Sequence, residues 1–151
     1  MDKKDFLKYL GPCGLHCGGC FAFVESAIKK NAVALKQSLG NFGIYAERFT
    51  ALLNDPRFDR YNDFSEFLDC LSEVTCKGCR QESCKLFSQC RVRDCSKEHT
   101  VDFCFQCKEF PCEKTGFDEH LQKRWLKING RIQEIGAQAY YDEIKNTVRY
   151  E

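Results

Sequence analysis

Between Cys76 and Cys112 the chain reads CKGCRQESCKLFSQCRVRDCSKEHTVDFCFQCKEFPC and carries eight of its twelve cysteines. Cys76 and Cys79 form one C-x-x-C pair, Cys104 and Cys107 a second, and Cys84, Cys90, Cys95 and Cys112 stand as singles. A tight pair offers two thiolates from one turn, and tetrahedral zinc takes two such turns, or one turn and two singles. Turn residues are too many here, and apolar periodicity too weak, for long elements. Short strands, single helical turns and metal-bound loops are expected.

A second cysteine group lies near the N-terminus, in GPCGLHCGGCFAF, with Cys13, Cys17 and Cys20 spaced C-x-x-x-C-x-x-C. Three ligands need a fourth from elsewhere, which makes this group a long-range staple. The compartment decides how so many cysteines are read. MDKKDFLKYLGPC has no apolar run followed by a small-residue cleavage site, and no stretch of about 18 apolar residues occurs. A cytoplasmic location is therefore expected, where clustered thiols stay reduced and serve as metal ligands rather than disulfides. With 23 Lys and Arg against 22 Asp and Glu, the chain has no global pull towards nucleic acid or an anionic membrane.

Hydrophobic residues at 43%, with thirteen Phe, are enough for a modest core. They are arranged with helical spacing. Phe21, Val24, Ile28, Ala32, Leu35 and Leu39 recur at steps of three and four, with Gly40 and Asn41 as a stop. Tyr45, Phe49, Leu52 and Leu53 mark a second helix that ends at Asn54-Asp55-Pro56. Asp63 as N-cap, with Glu66 three residues on, announces a third, whose apolar face is Phe64, Phe67, Leu68 and Leu71. Cys70 lies on that face and reads as a small buried hydrophobe. After Cys112, Leu121, Trp125, Ile128, Ile132, Ile135 and Ala139 trace a long amphipathic face that Gly130 and Gly136 could bend or break. The stripe Lys123, Arg124, Lys127 and Arg131 opposite reads as a solvated face. The expectation is one domain over 1–151, mainly α, with few short strands. Its cysteine-rich parts are 11–21 and 74–114, and its helical parts 21–72 and 115–147.

Several chemistries use cysteines spaced like these. C-x-x-x-C-x-x-C is also the cluster-binding spacing of radical S-adenosylmethionine enzymes, but those need most of a (β/α) barrel, and nothing here alternates strand and helix. Cys17-Gly-Gly-Cys20 precedes a helix, as a redox pair would, without the βαβ pattern that goes with one. Iron–sulfur clusters take four cysteines in compact runs, and Cys112 follows a proline where ferredoxin ligands precede one. Zinc is preferred, as two or three ions, with an iron–sulfur cluster as the alternative.

Setting Cys70 aside leaves eleven cysteines, one short of three four-thiolate sites. One partition gives Cys76, Cys79, Cys84 and Cys90 to one ion and Cys95, Cys104, Cys107 and Cys112 to another. Cys13, Cys17 and Cys20 would then take a third with His16, Cys70 or a crossed-over ligand. Interleaved pairing is equally legal, since spacing does not fix connectivity. Zinc binding at about 10–16 kcal/mol per site rivals the whole stability of a domain, about 5–15 kcal/mol.

CGLHCGGC, CKGC, CRVRDC and FCFQCKEFPCEK together resemble the cysteine-rich prokaryotic family called domain of unknown function 3795. Its pattern runs C-G-L-x-C-x-x-C, C-x-G-C, C-x-[IV]-R-x-C and C-x-x-C-x-x-[FY]-P-C, matched here from about Cys13 to Glu113. The resemblance implies that Cys13, Cys17, Cys20, Cys76, Cys79, Cys90, Cys95, Cys104, Cys107 and Cys112 are the shared cysteines, joined by Cys84, with Cys70 outside. It implies a zinc binder without assigned activity. No Ser-His-Asp set, P-loop, dinucleotide fingerprint or H-E-x-x-H is present, and zinc fully closed by thiolates has no open position for catalysis. A structural metal protein acting through a surface for another protein is expected, the alternative being an iron–sulfur or thiol-redox accessory to an enzyme.

Overall fold

The computed structural model describes residues 5–150; residues 1–4, on which part of the export reading rests, and residue 151 lie outside them. The described residues form six α-helices and four short 3-10 turns, and their only β pairing is two isolated bridges. The fold is mainly α around an irregular cysteine-rich part. None of these helices is long and apolar enough to cross a membrane.

Helix α1 (Ala27–Leu39) is capped by Ser26, whose hydroxyl accepts from the Lys29 N–H, and ends at Gly40. The apolar spacing predicts helix from Phe21 onward, and this is corrected. Val24 N–H donates to the Cys76 carbonyl (2.8 Å) and Cys76 N–H to that of Ala22 (3.1 Å). That pairing holds residues 22–24 out of a helix and ties the N-terminal cysteine group to the second one.

Helix α2 (Phe42–Leu53) stops at Asn54 in the left-handed conformation, the turn its sequence indicates. Helix α3 (Tyr61–Ser72) begins two residues before the expected cap at Asp63. The 3-10 turn Pro56–Arg60, capped by Asp55, runs straight into it, so Asp63 falls in the first helical turn. There its carboxylate still favours the helix dipole.

α1 packs on α3, and α2 on the Pro56–Arg60 turn. The rings of Phe42, Phe49, Phe58 and Tyr61 cluster at centroid distances of 5.1 to 6.4 Å. Tyr45, Leu52, Leu53, Phe64 and Phe67 remain exposed, although their spacing alone would place them on inner faces. Cys70 is a further correction. It is exposed, because α3 is anchored by Leu68 and Ser72, and a residue two positions from Leu68 points away from it.

The cysteine-rich segment contains one helix that its periodicity does not signal, α4 (Val92–Glu98), inserted by Val92 and Ser96. Helix α5 (Glu119–Ile135) is capped by Asp118 and buries Leu121, Trp125, Asn129 and Ile132. Gly130 leaves it unbroken. Gly136, at φ +85°, ends it and starts α6 (Ala137–Ile144), which packs back on α5. Trp125 is fully buried against Phe110 and Phe117. Ile132 joins Phe6, Leu10, Phe103 and Tyr140 in a neighbouring core.

Gly14 marks the closest approach of the N-terminal cysteine loop to α5. Its φ is +85°, and a Cβ there would lie 2.4 Å from Ile128 Cγ2 and 2.8 Å from Ile132 Cδ1. Gly136 has the same φ with nothing within 4 Å. Gly136→Ala should therefore cost only the strain of its φ +85°, ψ 154° backbone, about 1–3 kcal/mol. Gly14→Ala should add overpacking of about 1–3 kcal/mol and lower the melting temperature further. Equal melting temperatures for the two variants would show that the loop does not pack on α5 as described.

Candidate functional site

Two small cavities collect eleven of the twelve cysteines. One, of about 50 Å3, is lined by Cys13, Cys17, Cys20, Cys76, Cys79, Cys84 and Cys90. The other, of about 20 Å3, is lined by Cys95, Cys104, Cys107 and Cys112. The second set coincides with one of the groups in the sequence partition. The first merges the remaining two groups. Cys70 and His16 line neither cavity. The His16 ring packs edge-on against Tyr141, and its carbonyl accepts a hydrogen bond from Arg149. His99 and His120 are exposed.

Local structure explains how each thiol arrives. Cys17 opens a 3-10 turn that ends at Gly19, and Cys104 opens another that ends at Gln106. In each turn the second cysteine of the pair closes on the first, Cys20 N–H to the Cys17 carbonyl (2.9 Å) and Cys107 N–H to that of Cys104 (3.0 Å). Backbone N–H groups also point at sulfur, Gly78 at Cys76 (3.4 Å) and Glu109 at Cys107 (3.5 Å). Such donors favour a thiolate. Cys95 is carried by α4, and Cys104 N–H donates to the Pro12 carbonyl (3.0 Å), which joins the two cysteine groups a second time.

Three side chains hold these turns together, and none stands out in the sequence. Asn129 is fully buried. Its amide nitrogen donates to the Cys13 and Trp125 carbonyls (both 2.9 Å), and its oxygen accepts from Phe105 N–H (3.1 Å). Arg80, next to Cys79, donates to the carbonyls of Leu7, Leu10 and Asp102 and stacks on the Phe103 ring. The Tyr150 hydroxyl accepts from Phe21 N–H (3.1 Å) and lies 3.8 Å from the Cys20 sulfur. The position of Asn129 on the α5 face, four residues from Trp125, is the signal that could have marked it.

Burial dominates the proton affinities. It pushes the Cys13 thiol well up, raises Cys76 and Cys90, and takes Cys104 to about 11. Cys79 runs the other way for its neighbours. It keeps its own proton and donates to both Cys17 and Cys84, holding those two below the ordinary thiol range. The Trp125 indole Nε1 is buried without a well-formed hydrogen bond and faces Cys104, whose affinity for a proton it draws down against the larger effect of burial.

Among the described residues, no group of three or more His, Cys, Asp or Glu side chains stands in an arrangement that could hold a metal ion. The thiols line walls rather than meet at a point. As a donor set they fit a thiophilic metal, since sulfur outnumbers every other donor in both cavities.

The family described as protein of unknown function (DUF3795) matches residues 9–117. The chain belongs to this family. The matched stretch takes in all eleven cavity cysteines and ends just before α5, so Trp125 and Asn129 lie beyond the DUF3795 match. No curated protein and no solved structure matches the chain.

Asn129→Ala should strand the Phe105 N–H and the Cys13 carbonyl without partners, at about 1–3 kcal/mol each. Chemical denaturation should register a loss of about 2–5 kcal/mol, with Asn129→Asp intermediate because it keeps the acceptor. A loss under about 0.5 kcal/mol would mean the junction contributes nothing beyond an ordinary surface position.

Proposed function

We propose that this DUF3795 protein is a zinc–thiolate protein whose metal is structural and whose role is exercised through its surface. One observation carries the reading. Eleven cysteines line two small cavities, while the twelfth, Cys70, which falls outside the family pattern, faces solvent. Cys95, Cys104, Cys107 and Cys112 are the ligands of one site. Cys13, Cys17, Cys20, Cys76, Cys79, Cys84 and Cys90 provide the rest.

Cavities of about 50 and 20 Å3 have room for ions. They have no room for an organic substrate, whose pockets run to about 300–1,000 Å3. Zinc closed by four thiolates supplies no open coordination position, so its contribution is to fold the irregular half of the chain. The surface for a partner protein is sought on α2 and α3, where Ile44, Tyr45, Leu52, Leu53, Phe64 and Phe67 are exposed. Apolar side chains concentrated on neighbouring elements in this way mark interaction sites more often than scattered ones do.

Protein purified in air should be colourless and carry stoichiometric zinc by elemental analysis. Stoichiometric iron with charge-transfer absorption in the visible would replace zinc with an iron–sulfur cluster. Single cysteines give a sharper comparison. Cys107→Ser should lose one zinc and become protease-sensitive between Cys76 and Cys112, because the binding energy of a site rivals the stability of the domain. Cys70→Ala, at an exposed position, should keep its metal and change stability by no more than about 0.5 kcal/mol.

A further inference from the structure

Three separate four-thiolate ions need one more cysteine than the eleven enclosed, yet those eleven divide into seven and four. Four thiolates close one tetrahedral ion. Seven close two, provided that one thiolate is shared between them. We propose that the larger cavity holds a pair of zinc ions bridged by the thiolate of Cys17, and that the chain therefore binds three ions. The proposal rests on the zinc–thiolate reading above.

Cys17 is singled out by its position. Its sulfur and the Cys79 Cβ lie 3.6 and 3.7 Å from one point beside Gly11. Cys20 closes the same 3-10 turn. Four of the other cavity thiols belong to two different packing groups. Cys13 and Cys90 pack with Trp125, and Cys20 and Cys76 with Phe23.

The chain divides the remaining six accordingly. Cys20, Cys76 and Cys79, with Cys17, are two C-x-x-C turns held side by side by the backbone pairing of residues 22–24 with Cys76. Cys13, Cys84 and Cys90 lack a fourth thiol unless Cys17 serves them too. The Cys13 and Cys17 sulfurs lie 3.1 and 3.6 Å from the point where a Cβ on Gly11 would stand, so both flank the same glycine.

Charge agrees with a pair. Seven thiolates on two divalent ions leave three negative charges, which a small buried cavity does not hold without compensation. Lys85, Arg93 and Arg149 line this cavity against one acidic residue, Asp94. The guanidinium of Arg93 donates to Ser83 and pairs with Asp94, while its Nε is buried with no hydrogen-bond partner among the described residues.

The test replaces zinc by cadmium-113 in the full chain and records the cadmium NMR spectrum with the metal content. Three ions per chain are expected, giving three resonances, two split by each other through the shared sulfur and one unsplit. Cys107→Ser should remove the unsplit resonance and leave the coupled pair. Cys17→Ser should abolish the coupling and reduce the metal content from three to no more than two. Three unsplit resonances, two ions in the unaltered chain, or three ions retained by Cys17→Ser would each overturn the bridge while leaving a zinc–thiolate protein. A chain that binds no metal would overturn the zinc–thiolate reading itself.

Discussion

Helix α5 is what the cysteine-rich half of this protein leans on. Trp125 and Asn129 are one turn apart on its buried face, and both are fully enclosed. Trp125 fills the space between Phe110 and Phe117 and faces Cys104. Asn129 reaches the backbone at Cys13 and at Phe105. The two cysteine groups, about sixty residues apart in the chain, thus rest on one rigid rod. An apolar residue at 129 would leave two buried backbone groups unpaired, which is why a polar amide is tolerated in the driest part of the molecule.

Short-range backbone pairing does the rest of the positioning. The link between residues 22–24 and Cys76 sets the first cysteine turn beside the Cys76–Cys79 turn, and Arg80 then ties that turn to the N-terminal segment and to Asp102. The result is a set of loops with little regular structure, tied to one another by a few backbone and side-chain hydrogen bonds. The buried apolar side chains of these loops, Leu15, Phe23, Val92 and Phe103 among them, pack in three separate clusters rather than one core.

The helical unit of α1 to α3 is held differently. Its cohesion comes from the aromatic cluster of Phe42, Phe49, Phe58 and Tyr61 and from α1 packing on α3. A three-helix unit of this size cannot enclose all of its apolar residues. What remains outside is concentrated on α2 and α3 and gives this part of the molecule a surface quite unlike the charged exterior of α5, where Lys123 pairs with Glu119 and Arg131 with Glu134 and Glu143.

The sequence by itself determined the class of the fold, the ends of α1 and α2, the break at Gly136, the family, and the eleven cysteines that come to line the two cavities. These are local properties, written in helical spacing, in the stop signals Gly40, Asn54 and Gly136, and in C-x-x-C turns whose geometry needs only neighbouring residues. The grouping of Cys95, Cys104, Cys107 and Cys112 was legible for the same reason, since they follow one another along the chain. Only the tertiary structure decided that Cys13, Cys17 and Cys20 share a cavity with Cys76, Cys79, Cys84 and Cys90, because that depends on pairing across some fifty residues, which spacing does not encode. It also turned Cys70 outward, kept Phe21 to Val24 out of α1, and inserted α4 into a segment without apolar periodicity. In each case a long-range contact outweighed a local preference: Leu68 and Ser72 fix the face of α3, Cys76 draws out residues 22–24, and Val92 finds its burial against Trp125.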